Sequence, residues 1–162
     1  MRNRLEKTIE LSAWVIMILL LFKFVPKNRI REAQVSFLFK QAVTWLFGLL
    51  VVEKKLISYP YRLFFKKTIK SSFTFEYFVY PSLCVLFNLY YPDKRNYPIK
   101  LLYYLFHSAI ITGLEVVLLK YTKLIKYKKW TWYWSLLSMT FTNYLSHVYF
   151  KWFFKEQVSR QK

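Results

Sequence analysis

The chain has 162 residues, of which 56% are hydrophobic and 22% aromatic and only 2 are glycine, and this composition excludes both a disordered chain and an ordinary soluble domain. Lys and Arg outnumber Asp and Glu by 26 to 8, for a formal net charge of +18. The basic residues crowd into short connectors between long apolar segments, which is typical of loops at anionic lipid headgroups and argues against nucleic acid as a partner.

Five apolar segments of membrane-spanning length follow one another along the chain. The first covers about residues 9–25 and ends at Pro26, which cannot continue the hydrogen-bond ladder of a helix. The others cover about 33–57, 73–91, 99–119 and 130–154. Each has roughly 17 to 25 residues, the length that crosses ~30 Å of hydrocarbon at about 1.5 Å per residue. The sequence therefore predicts a single all-α domain over residues 1–162, a polytopic integral membrane protein of five transmembrane helices.

The connector between the second and third segments is too charged to span a membrane. Tyr61, Phe64, Phe65 and Ile69 fall near one face of a helical projection, whereas most basic residues of this stretch lie elsewhere. The pattern predicts a short amphipathic segment that lies in the interface, and a solvated basic loop fits it about equally well.

The distribution of basic residues over the connectors also bears on orientation. An N-terminus in the cytoplasm places 14 Lys and Arg residues on the cytoplasmic side and leaves 12 elsewhere in the chain. This difference favours a cytoplasmic N-terminus. With five spans the C-terminal tail would then lie outside, and the basic residues of that tail argue against it.

Polar side chains inside the predicted spans are the candidates for function, because a charge at bilayer depth is kept where it finds a partner or water. The second, fourth and fifth spans each contribute some of them. On the fourth span three of these residues share one side of the helix. The candidate site consists of Glu115, His107, Thr112, Asn143, His147, Gln41 and Lys40.

Two interpretations of this set stay open. In the first, Glu and His side chains line a polar cavity that binds an ion or a small solute, or relays protons. In the second, the same residues only form hydrogen bonds between helices, typically worth ~0.6 kcal/mol each. Of these residues, Glu115 is the one that helix packing alone explains least well. Lys40 and Glu76 have simpler explanations, since Lys40 can snorkel to the headgroups and Glu76 gains from a helix N-terminus.

Signatures of enzymes and of metal sites are absent from the sequence. It contains no nucleophile elbow, no zinc-protease helix motif, no phosphate-binding loop and no C-x-x-C pair. His107 and His147 are 40 residues apart and follow no metal-ligand spacing. Cys84 has no partner for an intrachain disulfide. We therefore expect no enzymatic activity, no metal and no cofactor.

Three stretches of the chain carry a resemblance to a known group of proteins. They are SFLFKQAVTWLFGLLVVE from Ser36 to Glu53, SFTFEYFVYPSLCVLFNLYYP from Ser72 to Pro92 and EVVLLKYTKLIKYKKWTWYW from Glu115 to Trp134. Together with the closing KWFFK they resemble a family of small uncharacterised multi-spanning membrane proteins of Bacillus-type endospore-forming bacteria. The resemblance implies a bacterial cytoplasmic membrane, with spore association as one option, and it transfers no catalytic or binding residue.

These observations predict a non-enzymatic accessory or sensor subunit of a bacterial membrane. Its partners would be the lipid bilayer, anionic headgroups at the basic loops, and either a second copy of the chain or another membrane protein. A different class stays open, namely a small solute or ion translocator. Such a translocator would act as a homo-oligomer, because five short helices enclose little room for a pathway and no inverted repeat is visible.

Overall fold

The computed structural model describes residues 4–65, 68 and 70–159, without the side chains of residues 156–159. Over these residues the chain is mainly helical, and the predicted all-α class is confirmed. The helices are α1 (Arg4–Phe24), α2 (Ile30–Glu53), α3 (Tyr80–Leu89), α4 (Tyr97–Tyr121) and α5 (Trp132–Ser159). A 3-10 turn, Lys27–Arg29, leads into α2, and a π-helical turn, Phe75–Val79, leads into α3.

Two of the helices are long and apolar enough to cross a membrane. They are Lys27–Glu53, which includes the 3-10 turn before α2, and Tyr97–Tyr121, which is α4. A third apolar helix, Phe75–Leu89, is shorter. Helix α4 begins after Asn96 with Pro98 in its first turn, where the missing amide hydrogen is not needed. Helices α1 and α5 occupy the first and last predicted segments.

Helix α2 ends in a left-handed turn at Lys55, whose φ is 54°. The amide of Lys55 donates to the carbonyl of Val52 at 2.9 Å, and the amide of Leu56 donates to that of Val51 at 3.0 Å. This is the Schellman arrangement, in which glycine usually takes the left-handed position. The turn ends the helix at Glu53, so the predicted second span, which extends to residue 57, is too long at this end.

A two-stranded antiparallel ribbon joins two connectors that are distant in the sequence. Strand β1 (Ile57–Ser58) pairs with β2 (Lys126–Tyr127), with Ile57 opposite Tyr127 and Ser58 opposite Lys126. The backbone amide of Lys123 also donates to the Glu6 carboxylate near the start of α1, at 3.3 Å. The start of α1 and both connectors therefore meet at one end of the helix bundle.

The connector after β1 is irregular. Its described residues between Tyr59 and Ser72 form no helix, so a helical form of the predicted amphipathic segment is wrong for them. Residues 66, 67 and 69 lie outside the described residues. Phe64 packs edge-on against Trp14 of α1, and Phe65 packs edge-on against Phe73. These aromatic contacts hold the irregular backbone against the bundle.

Polar and apolar side chains are distributed inversely to those of a soluble protein. Lys40 and Glu10 are each 1% exposed, whereas Phe22 is 84% exposed and Leu102 65% exposed. Helix α2 packs against α3 and α5, and α4 packs against α5. The interior between these helices is therefore rich in polar groups, and the outer faces are apolar.

Candidate functional site

A cavity of about 120 Å³ between helices α2, α4 and α5 and the π-helical turn contains two buried carboxylates. Glu76 is 3% exposed and Glu115 is 6% exposed, and both side chains line the cavity. The remaining walls combine hydroxyl groups with aromatic rings, among them Thr44, Phe47, Tyr59, Tyr80, Trp130, Ser135 and Thr142. We refer to this space, with Glu76 and Glu115, as the dicarboxylate cavity.

Glu76 owes its position to the π-helical turn that precedes α3. Pro81 follows the turn and cannot donate a hydrogen bond to the carbonyl of Tyr77, which favours an irregular backbone. The hydroxyl of Thr44 donates to the carbonyl of Glu76 at 2.7 Å and so ties this turn to α2. Single π-helical turns are frequent at functional sites.

Gly48 is the residue of α2 that lies against the carboxylate of Glu76. A Cβ atom at position 48 would be 2.6 Å from Oε1 of Glu76 and would also overlap with Cδ and Oε2. Any side chain at this position would therefore displace the carboxylate. The close approach explains why one of the 2 glycines of the chain lies here.

The carboxylate of Glu76 has few donors. Tyr59, Ser71 and the backbone amide of Ser72 lie close enough to stabilise its charge. None of the described groups, however, reaches either of its oxygens with ordinary hydrogen-bond geometry. The same holds for Oε2 of Glu115. A buried carboxylate in this state is stable when it is protonated or when it faces a cation or water.

The other oxygen of Glu115 is held by a hydroxyl at the mouth of the cavity. Ser135 donates to Oε1 of Glu115 at 3.2 Å and accepts the indole N–H of Trp130 at 2.8 Å. The Tyr127 hydroxyl is 3.0 Å from the same Ser135 oxygen. Burial, together with the nearby charge of Glu115, raises the pKa of Tyr127, so this tyrosine remains a neutral hydrogen-bond donor.

Lys40 is buried beside the dicarboxylate cavity. Its Nζ donates to Oγ1 of Thr142 at 2.8 Å and to Oδ1 of Asn143 at 2.7 Å. Because Thr142 also lines the cavity, its hydroxyl connects Lys40 with the space that holds the two carboxylates. The snorkelling explanation for Lys40 is wrong, since its ammonium group points into the protein.

A second polar cluster joins α2, α3 and α5 farther from the ribbon. The amide nitrogen of Asn88 donates to Ser36 at 2.7 Å and to Ser146 at 3.3 Å. The carbonyl oxygen of Asn88 is 3.0 Å from Nδ1 of His147. All hydrogen-bonding groups of the Asn88 side chain are used, so this cluster has the form of interhelical packing.

The structure divides the seven residues predicted from the sequence. Glu115 lines the dicarboxylate cavity, and Lys40 and Asn143 adjoin it through Thr142. His147 belongs to the Asn88 cluster instead.

The three other predicted residues do not line the dicarboxylate cavity. His107 is bonded within α4, where its Nδ1 is 3.0 Å from the carbonyl of Tyr103. Thr112 is buried, and its hydroxyl has no partner among the described residues. Gln41 is half-buried on α2.

Sequence reasoning missed Glu76 as a member of the site. From the sequence, the dipole of a helix N-terminus explains this residue without a functional role. Two features of the sequence could have indicated that Glu76 belongs to a site. One is Pro81, five residues later in the same span, and the other is Gly48, in a chain with only 2 glycines. Tyr59 and Trp130 reach the cavity only through the folding of the connectors.

Comparison of the chain with family models, with curated proteins and with solved structures yields no match. The resemblance to membrane proteins of endospore-forming bacteria therefore stays a prediction. Among the described residues, no group of three or more His, Cys, Asp or Glu side chains is placed to hold a metal ion.

Proposed function

We propose that this chain is a five-span integral membrane protein that binds a small cation in the dicarboxylate cavity and acts as a non-enzymatic sensor or accessory subunit. One observation carries the proposal. Glu76 and Glu115 line the same buried cavity, and three of their four carboxylate oxygens receive no hydrogen bond of ordinary geometry from the described residues. A cation in the cavity would supply the missing partner.

The distribution of exposed and buried side chains supports the membrane setting. Large apolar side chains cover the outside of the helices, and in water so much exposed apolar surface would drive aggregation. In a bilayer the same surface meets acyl chains, and polar groups turn inward to find partners. The family resemblance supports the cytoplasmic membrane of a bacterium, and the basic connectors support contact with anionic headgroups.

The cavity walls favour a monovalent cation or a small protonated amine. Phe47, Tyr80 and Trp130 provide aromatic rings, whose faces attract cations. A volume of about 120 Å³ far exceeds the ~10–15 Å³ that one water molecule needs. The ligand can therefore keep part of its hydration shell. Mg²⁺ fits less well, because it demands near-octahedral oxygen coordination that two carboxylates do not provide.

Thermal unfolding of the purified protein in lipid nanodiscs, with Na⁺, K⁺ or methylammonium added as chloride salts, tests the proposal. A cation that binds the folded state at about 100 times its Kd adds about 2.7 kcal/mol to the free energy of unfolding. We expect Glu76→Gln and Glu115→Gln to remove this stabilisation. Glu53→Gln, at an exposed acid outside the cavity, is the matched control. A wild-type protein that responds to none of the three cations would refute the cation site.

One further observation favours the second candidate function, translocation by an oligomer. From Thr142 the polar groups continue through Lys40 and Asn143 to Ser108. His147 of the Asn88 cluster lies one helical turn before Lys151, which forms an ion pair with Asp93 at the opposite end. Cation flux into liposomes, together with an oligomer in mild detergent and in lipid, would support translocation. A strictly monomeric protein without flux would leave the sensor or accessory role.

A further inference from the structure

A second pocket, of about 480 Å³, lies where the ribbon meets the end of α2, and basic side chains surround it. Lys55, Arg62, Lys70 and Lys128 line it together with one acid, Glu53. Four positive groups against one negative group give this space a strongly positive potential. We call it the basic pocket. It shares Ile57 and Tyr59 with the dicarboxylate cavity, but none of its charged side chains lines that cavity.

The basic residues of this pocket come from two connectors that the fold brings together. Lys55 follows α2, and Lys128 follows β2, where its backbone amide donates to the Leu56 carbonyl at 2.9 Å. Arg62 is fixed by its Nη1, which donates to the carbonyl of Tyr59 at 2.6 Å. Basic residues that only face solvent would not need to be brought together from two distant connectors. The ribbon holds these charges together despite their mutual repulsion.

Lys55 is the most informative of these residues. Its left-handed backbone, with φ of 54°, is the position of a Schellman turn that glycine serves best. The turn therefore does not explain a lysine. A cation at the C-terminus of a helix is favourable, but Lys54 already supplies one at the preceding residue. The remaining reason for a lysine at position 55 is the place of its side chain, which lines the basic pocket.

The position of the basic pocket at the end of an apolar helix indicates which ligand it binds. Glu53 ends the apolar helix Lys27–Glu53. The exposed Trp132 and Trp134 at the start of α5 lie at the same end of the bundle, as aromatic residues do at the height of lipid headgroups. Lysine and arginine are the side chains that bind phosphate oxygens. We propose that the basic pocket binds the phosphate group of an anionic phospholipid. The inference relies on the membrane setting proposed above and is independent of the cation site.

Two pairs of neighbouring lysines provide a matched test. Lys55→Gln/Lys128→Gln removes two charges from the basic pocket. Lys54→Gln/Lys129→Gln removes two charges from adjacent positions of the same connectors that do not line it. Both variants have the same net charge, so non-specific attraction to an anionic membrane falls equally in both. Only a specific site distinguishes them.

Native mass spectrometry of the detergent-solubilised protein with phosphatidylglycerol or phosphatidylcholine gives the readout. We expect the wild type and the Lys54/Lys129 variant to retain phosphatidylglycerol preferentially. The Lys55/Lys128 variant should bind it about tenfold more weakly than that control. Equal losses in the two variants, or no preference in the wild type, would overturn the site.

Lys55→Gly separates ligand binding from folding. We expect this variant to fold with an unchanged or higher Tm and to lose the phosphatidylglycerol preference. A lowered Tm with the preference intact would overturn the role of Lys55, and this variant keeps the test decisive if the double variant does not fold.

Inorganic phosphate and glycerol phosphate in detergent distinguish a soluble ligand from a lipid. Stabilisation of the wild type by these ions, lost in the Lys55/Lys128 variant, would keep the phosphate site but overturn its assignment to lipid. The Na⁺, K⁺ and methylammonium titrations are expected to be unchanged in all these variants. A failure of the basic pocket is thereby distinguished from a failure of the dicarboxylate cavity.

Discussion

The backbone of Gly48 in α2 lies against the carboxylate of Glu76, so closely that a Cβ atom at position 48 would overlap with it. The hydroxyl of Thr44, one turn earlier on the same helix, fixes the Glu76 carbonyl. Helix α2 therefore determines where this carboxylate sits in the dicarboxylate cavity. The relationship makes position 48 a means of moving Glu76 without changing its charge.

Gly48→Ala is expected to weaken cation binding while changing the free energy of unfolding by less than about 1 kcal/mol. Alanine is the better helix former by about 1 kcal/mol, which offsets the displacement of the flexible Glu76 side chain. Gly113→Ala on α4 is the control, because a Cβ there meets nothing within 4 Å. Thermal unfolding with and without the cation compares the two variants. An unchanged cation response in Gly48→Ala would contradict the importance of the close approach.

Glu115→Gln is expected to leave folding and the membrane level of the protein intact and to abolish the cation response. The amide keeps the size of the side chain and can still accept the hydrogen bond from Ser135. Quantitative immunoblotting of membranes and the nanodisc titration measure the two properties. Lowered abundance with a preserved cation response would instead show that Glu115 acts only in helix packing.

Lys40→Met is expected to lower the free energy of unfolding by about 1–3 kcal/mol, because it leaves the buried oxygens of Thr142 and Asn143 without their donor. Methionine keeps most of the volume of the lysine side chain. A double-mutant cycle with Asn143→Leu should recover part of the loss, since both partners are then apolar. Additive effects of the two substitutions would argue against a direct Lys40–Asn143 interaction.

Cysteines at Ser58 and Lys126, which lie opposite each other in the ribbon, are expected to form a disulfide in membranes under mild oxidation. Directly opposed residues of an antiparallel pair have Cα atoms roughly 4.5–5.5 Å apart, within the range of a disulfide. Mobility on a non-reducing gel reports the bond. Ser58→Cys with Tyr121→Cys, which is not opposed to it, is the control. Equal cross-linking of both pairs would contradict the register.

Reporter fusions at the two ends of the chain are expected to lie on opposite sides of the membrane. The start of α1 contacts the connector of β2 through Glu6 and Lys123. The later part of α5 contacts the opposite end through Lys151 and Asp93. An odd number of crossings separates these two ends. Reporters with matching activity would refute five spans.

The helices could be predicted from the sequence because long apolar runs are local features, and Glu115 could be identified because it is an acid within a run, residues 101–119, that has no Lys or Arg. Glu76 could not, because its environment depends on a π-helical turn and on a glycine of another helix. Lys40 was a predicted candidate, but its partners on α5 are more than 100 residues away in the chain. The basic pocket likewise depends on the pairing of β1 with β2, which brings together two connectors that are distant in the sequence.

The ribbon has a consequence for the order in which the molecule is assembled. Ser58 and Lys126 are 68 residues apart, and α3 and α4 lie between them. The carboxylate of Glu6 accepts a hydrogen bond from the amide of Lys123, which is 117 residues later in the chain. In the proposed membrane setting, the first two helices would therefore enter the bilayer during synthesis before the partners of Ser58 and Glu6 exist. Closure of the ribbon requires β2, which follows α4 in the chain, so the fold is completed by its second half.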